Sequence, residues 1–315
     1  MIKEFTYKWH LTDLKNVKKN NYKVFSCFSC GGGSTMGYKM SGFDVLGCNE
    51  IDNKLISIYK NNFNPKYAYN ESIVDFKKRN DLPKELFDLD ILDGSPPCSS
   101  FSIASTKKQN YWGKEKKFKE GQIKQRLDDL FFDYIDLCEK LKPKIIVAEN
   151  VKGMIQGNSK GYVKEVIKRF KKINYKVQLF LINMAYLGLP QKRERIFFIC
   201  SRNDLNLPNL KLNFNERIIP LKEALKEAPD TKENMTDYQL KYWQKCFPGE
   251  SFAKYHPKGS LFTYMKLNPN QPCPTLTRNN HTLYHWNKKR NLNSYEIKII
   301  GSFPLDYKIK KNIEY

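Results

Sequence analysis

The sequence predicts an α/β fold, a doubly wound and mostly parallel sheet, with a second, smaller and irregular domain after it. Three observations predict this. Between about residues 22 and 202, short apolar runs of strand length alternate with amphipathic segments of helical period. The turn after the first apolar run is rich in glycine, "SCGGGSTMGY". Beyond residue 202 the alternation stops, and residues 203–285 mix prolines, asparagines, lysines and one tryptophan without a clean period.

The elements follow in order. "YKVFSCFS" reads as a strand, "STMGYKMSG" as a helix closed by glycine, and "FDVLGCNE" as a second strand. "NKLISIYKNNF" supplies the next helix. "FDLDILDGS" and "KPKIIVAEN" are strands separated by the helical pattern "LDDLFFDYIDLCEKL". Helix "GYVKEVIKRFKKI" and strands "YKVQLFLIN" and "RIFFICSR" complete the first domain, which we bound at 1–202. Residues 203–285 form the second domain. "NLNSYEIKIIGSFPLDYKI" resumes a helical pattern, so 286–315 is expected to return to the first domain.

The chain has 315 residues, of which 40% are hydrophobic, enough to fold around a large core. Lys and Arg total 55 against 33 Asp and Glu, a net charge of +22. Such an excess suits a polyanion, because each cation near a phosphate releases condensed counterions. A solvated, lysine-rich surface would give the same count. Eight cysteines lie at 27, 30, 48, 98, 138, 200, 246 and 273. Only Cys27 and Cys30 are closely spaced, and no second pair or nearby histidine completes a metal site. We therefore expect no metal, and strand packing for that pair. Dispersed thiols, no signal peptide and no membrane-length apolar run predict a soluble cytoplasmic protein without membrane contact.

Candidate chemistry collects at strand ends, where open α/β sheets bind ligands. Gly31, Gly32 and Gly33 let backbone approach a ligand closely and leave amides free to bind it. The next strand ends in "NEID", placing Glu50 to accept hydrogen bonds from ribose hydroxyls. In "DILDGSPPCSSFS", Pro96 and Pro97 cannot continue a sheet, so Cys98 is expected at the cleft as a nucleophile; a small buried hydrophobe is the plainer reading. "VAENVKGM" ends another strand, and a desolvated Glu149 could share a proton with a heterocycle, or simply cap or pair. "LPQKRERIFF" sets Arg193 and Arg195 on one side of an extended segment, as substrate anchors or as edge-strand charge.

In that order, these segments resemble the DNA (cytosine-5) methyltransferase family: the glycine-rich turn, "SPPCSSFS", "ENVKGM", "QKRERI", a variable region, then "PCPTLTR" and "GSFPLDY". The similarity runs through 22–202 and resumes near 268–307. The resemblance implies a Rossmann-like methyltransferase that uses S-adenosylmethionine on double-stranded DNA, within a restriction-modification system. It implies that Cys98 attacks carbon 6 of a flipped cytosine, that Glu149 serves ring nitrogen 3, that Arg195 holds the base oxygen, and that Arg193 supports the closed site. For the cofactor it implies Phe28 and Ile51 against the adenine and Ser29, Cys30 and the three glycines along the methionine. Glu50 falls on the ribose, with Ser72, Ile73, Pro97 and Leu130 completing the pocket. Ser99, Ser102, Thr277 and Arg278 are the implied DNA contacts, and 203–285 the target-recognition domain.

Three departures stand against the family pattern. Ser72 occupies an acid position, and Cys30 replaces a customary glycine. The chain ends at "IKKNIEY" without the usual Gly-Asn-x-Val-Pro segment, so a truncated, frameshifted or split enzyme with weak cofactor affinity is expected, and in the split case a second polypeptide supplies that segment. Two other readings stay open: a tRNA cytosine-5 methyltransferase, or a DNA-binding partner subunit without activity of its own.

Overall fold

In a computed structural model of the chain, the described residues are 8–97, 129–214, 216–231, 235–277 and 280–309. They form two compact units: Leu14–Ile182 with Arg195–Leu212, and Met1–Asp13 with Asn183–Glu194 and Asn213–Tyr315.

The first unit opens with β1 (Lys23–Cys27), α1 (Gly33–Met40), β2 (Asp44–Asn49), α2 (Asn53–Phe63), β3 (Tyr67–Tyr69) and α3 (Ile73–Phe76). It continues through β4 (Ile91–Gly94), α4 (Leu130–Leu141), β5 (Ile145–Val151), α5 (Lys160–Lys172) and β6 (Tyr175–Asn183), and then, after a two-residue strand β7 (Gln191–Lys192) in the other unit, ends in β8 (Glu194–Arg202). The seven-stranded sheet has the order β3-β2-β1-β4-β5-β8-β6. Pairings among β3, β2, β1, β4 and β5 are parallel, whereas β8 runs antiparallel to β5. The strands expected from apolar runs are all present.

Alternation along β1 shows why both faces are covered. Phe25 and Cys27 join the apolar cluster containing Phe76, Phe131, Tyr134 and Phe170 of α3, α4 and α5, while Ser26 turns to the opposite face and meets Ser34 of α1. Helix α4 buries Leu130, Phe131, Tyr134, Ile135, Leu137, Cys138 and Leu141 at helical spacing, and Lys142 ends it in a left-handed conformation. Burying a ring such as Phe131 is worth roughly 2–3 kcal/mol. Helix α2 starts at Asp52, whose carboxylate accepts from the Lys54 and Leu55 amides, and stops at left-handed Asn64.

The second unit is built from short pieces: α6 (Leu221–Ala224), α7 (Asp237–Lys245), β9 (Met265–Lys266), β10 (Cys273–Pro274), β11 (Leu283–Tyr284) and α8 (Ser294–Ile300). Ile219, Leu221, Leu225, Leu267, Leu283, Leu292, Ile299 and Ile300 share one core. Leu292, Ile299 and Ile300 thus share a core with Ile219, Leu221 and Leu225, and the helix among them is α8. Buried Arg290 makes a bidentate pair with buried Glu296 at 2.7 and 2.9 Å. Lys266 donates to the carbonyls of Trp243 and Cys246 and lies over the Trp243 ring, closing the end of α7. No helix among the described residues is long and apolar enough to cross a membrane.

Candidate active site

Strand order reverses between β1 and β4, and the residues just past those two carboxyl ends frame the site. After β1 the backbone takes positive φ at Phe28 (52°), Cys30 (46°) and Gly32 (92°). Alternation of this kind curls a short segment so that its N–H groups turn inward. At Gly32 a Cβ would come within 2.4 Å of the Phe63 ring, so only glycine fits against α2. Cys30 holds a left-handed conformation without being glycine, which explains why glycine is the customary residue there. It also corrects the expectation of strand packing for the cysteine pair: Cys27 is buried in β1, but Cys30 stands exposed on the turn.

Phe28, Glu50, Ile51, Ser72, Ile73, Pro97 and Leu130 line one cleft, together with Asn49 and Glu71. It is open to solvent. An aromatic ring and aliphatic side chains line it together with the polar side chains of Asn49, Glu50, Glu71 and Ser72. Glu50 Oε2 accepts from the Cys30 amide at 2.8 Å and Oε1 from the Asp52 amide at 2.9 Å. Each carboxylate oxygen keeps a lone pair for a hydroxyl donor. Burial raises the Glu50 pKa, and the backbone donors oppose that rise. Ser72 caps α3 by accepting from the Asp75 amide and donating to the Asp75 carboxylate. The cleft thus combines an apolar lining with the Glu50 carboxylate.

Glu149 and Arg195 meet beside β5. Arg195 pairs opposite Val151 in the antiparallel register, so its side chain lies diagonal to Glu149, and its Nε donates to Glu149 Oε1 at 2.9 Å. Both side chains are largely buried. Arg193 belongs to the second unit, where its carbonyl accepts from the Met184 amide. The "QKRERIFF" stretch is thus two strands, with β7 paired to β10. Thr277 is also in the second unit and exposed. Cys98, Ser99, Ser102 and Arg278 lie outside the described residues. Buried Cys27 and Cys138 have thiol pKa values raised well above normal by burial, and burial lifts Cys48 to about 12. Cys30 is likewise pushed up to about 12, first by the surrounding protein and then by the carboxylates of Glu50, Asp52 and Glu149.

Sequence reasoning missed Asn49, Glu71 and Asp93. Asn49 donates to the Glu71 carbonyl at 2.9 Å, joining the ends of β2 and β3 at the cleft. Asp93 is buried near the end of β4 and accepts from Ser26 at 2.8 Å and Ser34 at 2.6 Å. An acid inside the apolar run "DILDG" was the signal that could have found it.

The chain belongs to the C-5 cytosine-specific DNA methylase family, whose model matches residues 22–314. It is 31% identical over 232 residues to the type II methyltransferase M.FnuDI of Fusobacterium nucleatum, covering 74% of this chain and 59% of that protein. It is 32% identical over 216 residues to M.NgoPII of Neisseria gonorrhoeae, covering 67% and 58%. The chain thus spans somewhat over half the length of these two relatives. Its fold is that of a protein encoded within an E. coli prophage (TM-score 0.69, 21% identity, 92% and 90% coverage) and of Spodoptera frugiperda DNMT2 (TM-score 0.63, 19% identity, 93% and 92% coverage).

Proposed function

We propose that this protein transfers a methyl group from S-adenosylmethionine to carbon 5 of a cytosine turned out of duplex DNA, at a specific sequence. The observation that carries the reading is the half-buried Glu149–Arg195 pair on the sheet unit whose strand ends also line the cleft. The same residues suit the cofactor: Phe28, Ile51, Ile73, Pro97 and Leu130 against a base, Glu50 on the ribose, and the 28–33 turn along the amino-acid end. When bound, the cofactor supplies an electrophilic methyl on a cationic sulfur.

Cys98 forms a bond from its thiolate sulfur to carbon 6 of the ring, while Glu149 stabilises the charge that develops at nitrogen 3 by a hydrogen bond or a proton. Arg195 holds Glu149 and reaches for the base oxygen. Carbon 5, made nucleophilic by that addition, would take the methyl as the methyl–sulfur bond breaks, with its electron pair left on a neutral thioether sulfur. Its proton then leaves to a solvent base, and the carbon 6–sulfur bond breaks with its electron pair returning to Cys98. Extruding the base costs a few kcal/mol of stacking and pairing, which the cationic chain offsets through phosphate contacts. Residues 203–285 carry target recognition, and the names of the bacterial relatives favour a modification enzyme of a restriction system.

The test incubates the chain with methyl-labelled cofactor and either duplex DNA or tRNA, followed by bisulfite sequencing of each. Methylcytosine confined to one DNA sequence is the expected result. Label in tRNA alone would transfer the reading to the RNA substrate, and label in neither would leave a DNA-binding role without catalysis.

A further inference from the structure

Helix α5 separates two surfaces of opposite character. Tyr162, Val163, Val166 and Phe170 form its buried face, and the rings of Tyr162 and Phe170 meet Phe131 of α4 edge-on. The opposite face is Lys160, Lys164, Lys168, Lys171 and Lys172, all exposed. Lys160, Lys164, Lys168 and Lys172 recur at every fourth residue, and Lys171 falls among them on the helix surface. The one acid of α5, Glu165, is taken by Arg169, whose guanidinium also lies over the Phe132 ring. None of the five lysines has a carboxylate or hydrogen-bond partner among the described residues. Elsewhere on the unit lysines meet acids: Lys23 with Asp88, Lys66 with Glu85, Lys77 with Asp133 and Asp136, and Lys144 with Asp90.

A helix face that only keeps a protein in solution is better served by alternating signs, because like charges four residues apart repel. Here Lys160–Lys164, Lys164–Lys168 and Lys168–Lys172 repel in succession. Lys160 adds to the cost, since it stands in the first turn, where the helix dipole favours an anion and where α5 has no acid. An external polyanion relieves both. From Lys160 to Lys172 the helix rises about 18 Å, a length over which one strand of duplex DNA presents about five phosphates. Lysine is a point charge on a flexible stem, suited to following a phosphate backbone and unsuited to reading base edges.

We propose that the lysine face of α5 is a second DNA-binding surface, one that holds the phosphate backbone of duplex DNA without reading its sequence. It rests on the DNA reading above and adds a contact on the solvent side of α5, on lysines that belong neither to the cleft nor to the Glu149–Arg195 pair. Such a surface keeps the chain on DNA of any sequence and lets it reach its target by sliding.

Fluorescence anisotropy with a labelled duplex of arbitrary sequence, repeated from about 50 to 300 mM salt, tests this on the full chain. One variant combines Lys160→Gln, Lys164→Gln, Lys168→Gln and Lys171→Gln. A second combines Lys54→Gln, Lys60→Gln, Lys78→Gln and Lys84→Gln, removing the same charge from exposed positions elsewhere on the unit. The quantity read is the slope of log affinity against log salt. It is expected to shrink by about 3 to 4 in the α5 variant, the scale of four lost phosphate contacts, by about 1 in Lys164→Gln alone, and by less than 1 in the second variant. Melting temperatures equal to that of the parent show that each variant is folded. An unchanged slope in the α5 variant and in Lys164→Gln, or an equal loss in both four-site variants, would overturn the surface, as would a loss seen with tRNA and absent with duplex DNA. If the parent chain binds no duplex at all, the proposed function itself fails and this surface with it.

Discussion

Asn150 donates from its side-chain amide to the Pro96 carbonyl at 3.1 Å, tying the end of β5 to the segment that leads into Cys98. Its own oxygen accepts the Val151 amide at 2.8 Å, so one buried side chain fixes two backbone segments. Replacing it by alanine leaves both groups short of a partner, at about 1–3 kcal/mol. Asn150→Ala is expected to slow methyl transfer at least tenfold while changing cofactor affinity little. Single-turnover rates and calorimetry on the same preparation check the separation.

Cys98→Ala should abolish transfer and leave the melting temperature within a degree or two. A 5-fluorocytosine duplex with cofactor should trap a covalent adduct on Cys98 in the parent chain, seen by mass spectrometry of peptides. An adduct on Cys30 instead would contradict the proposal, which assigns the attack to Cys98.

Arg195→Ala strips Glu149 of the partner that orients it, and transfer should fall by roughly a hundredfold or more. Arg195→Lys should restore little, because a lysine cannot reproduce the directed Nε donor. Arg193→Ala should cost less than Arg195→Ala, as measured by kcat with saturating cofactor.

Gly47→Ala probes the sheet edge. A Cβ at this position would sit 1.9 Å from the Tyr67 carbonyl oxygen, inside the β2–β3 pairing. Backbone cannot yield as a side chain can, so a loss of about 2–3 kcal/mol is expected. Urea unfolding followed by circular dichroism measures it, and cofactor affinity should fall in parallel because Asn49 ends the same strand.

The second unit should weaken in mild acid. His285 stacks on Trp286 with ring centroids 3.8 Å apart, and its Nδ1 accepts from the Asn287 and Lys288 amides. Burial, opposed by the Glu296 carboxylate, lowers its pKa from 6.5 to about 4. Between these values the unfolded chain binds a proton that the folded chain refuses, so stability falls as pH drops from about 6.5 to 4. Tryptophan fluorescence during urea unfolding should show this, and His285→Gln should flatten the dependence.

The sheet unit was legible because its elements repeat a period long enough to recognise: "KIIVAEN" and "YKVQLFLIN" could be little else than strands. The three residues of β3 and four of α3 carry no period at all and were missed. Direction was equally hidden, since a period of two reads the same forwards and backwards, and nothing in "RIFFICSR" announces that it opposes β5. Cleft residues such as Glu50 and Pro97 were found because they follow strands. Asp93 was overlooked because it sits inside one. The second unit resisted because its core joins Leu221, Leu267, Leu283 and Ile300, which are brought together by short elements and turns.

That reversed strand has a consequence for how such a protein could have been assembled. Strand β5 is seven residues long, and a partner threaded in the common direction would begin at its far edge, about 20 Å from where Arg195 now stands. Flipping one ribbon delivers a guanidinium to the working rim using the first residues of the strand, with no added loop to carry it there. The polarity of a single backbone segment, more than any side-chain substitution, decides which rim of the sheet is equipped for chemistry.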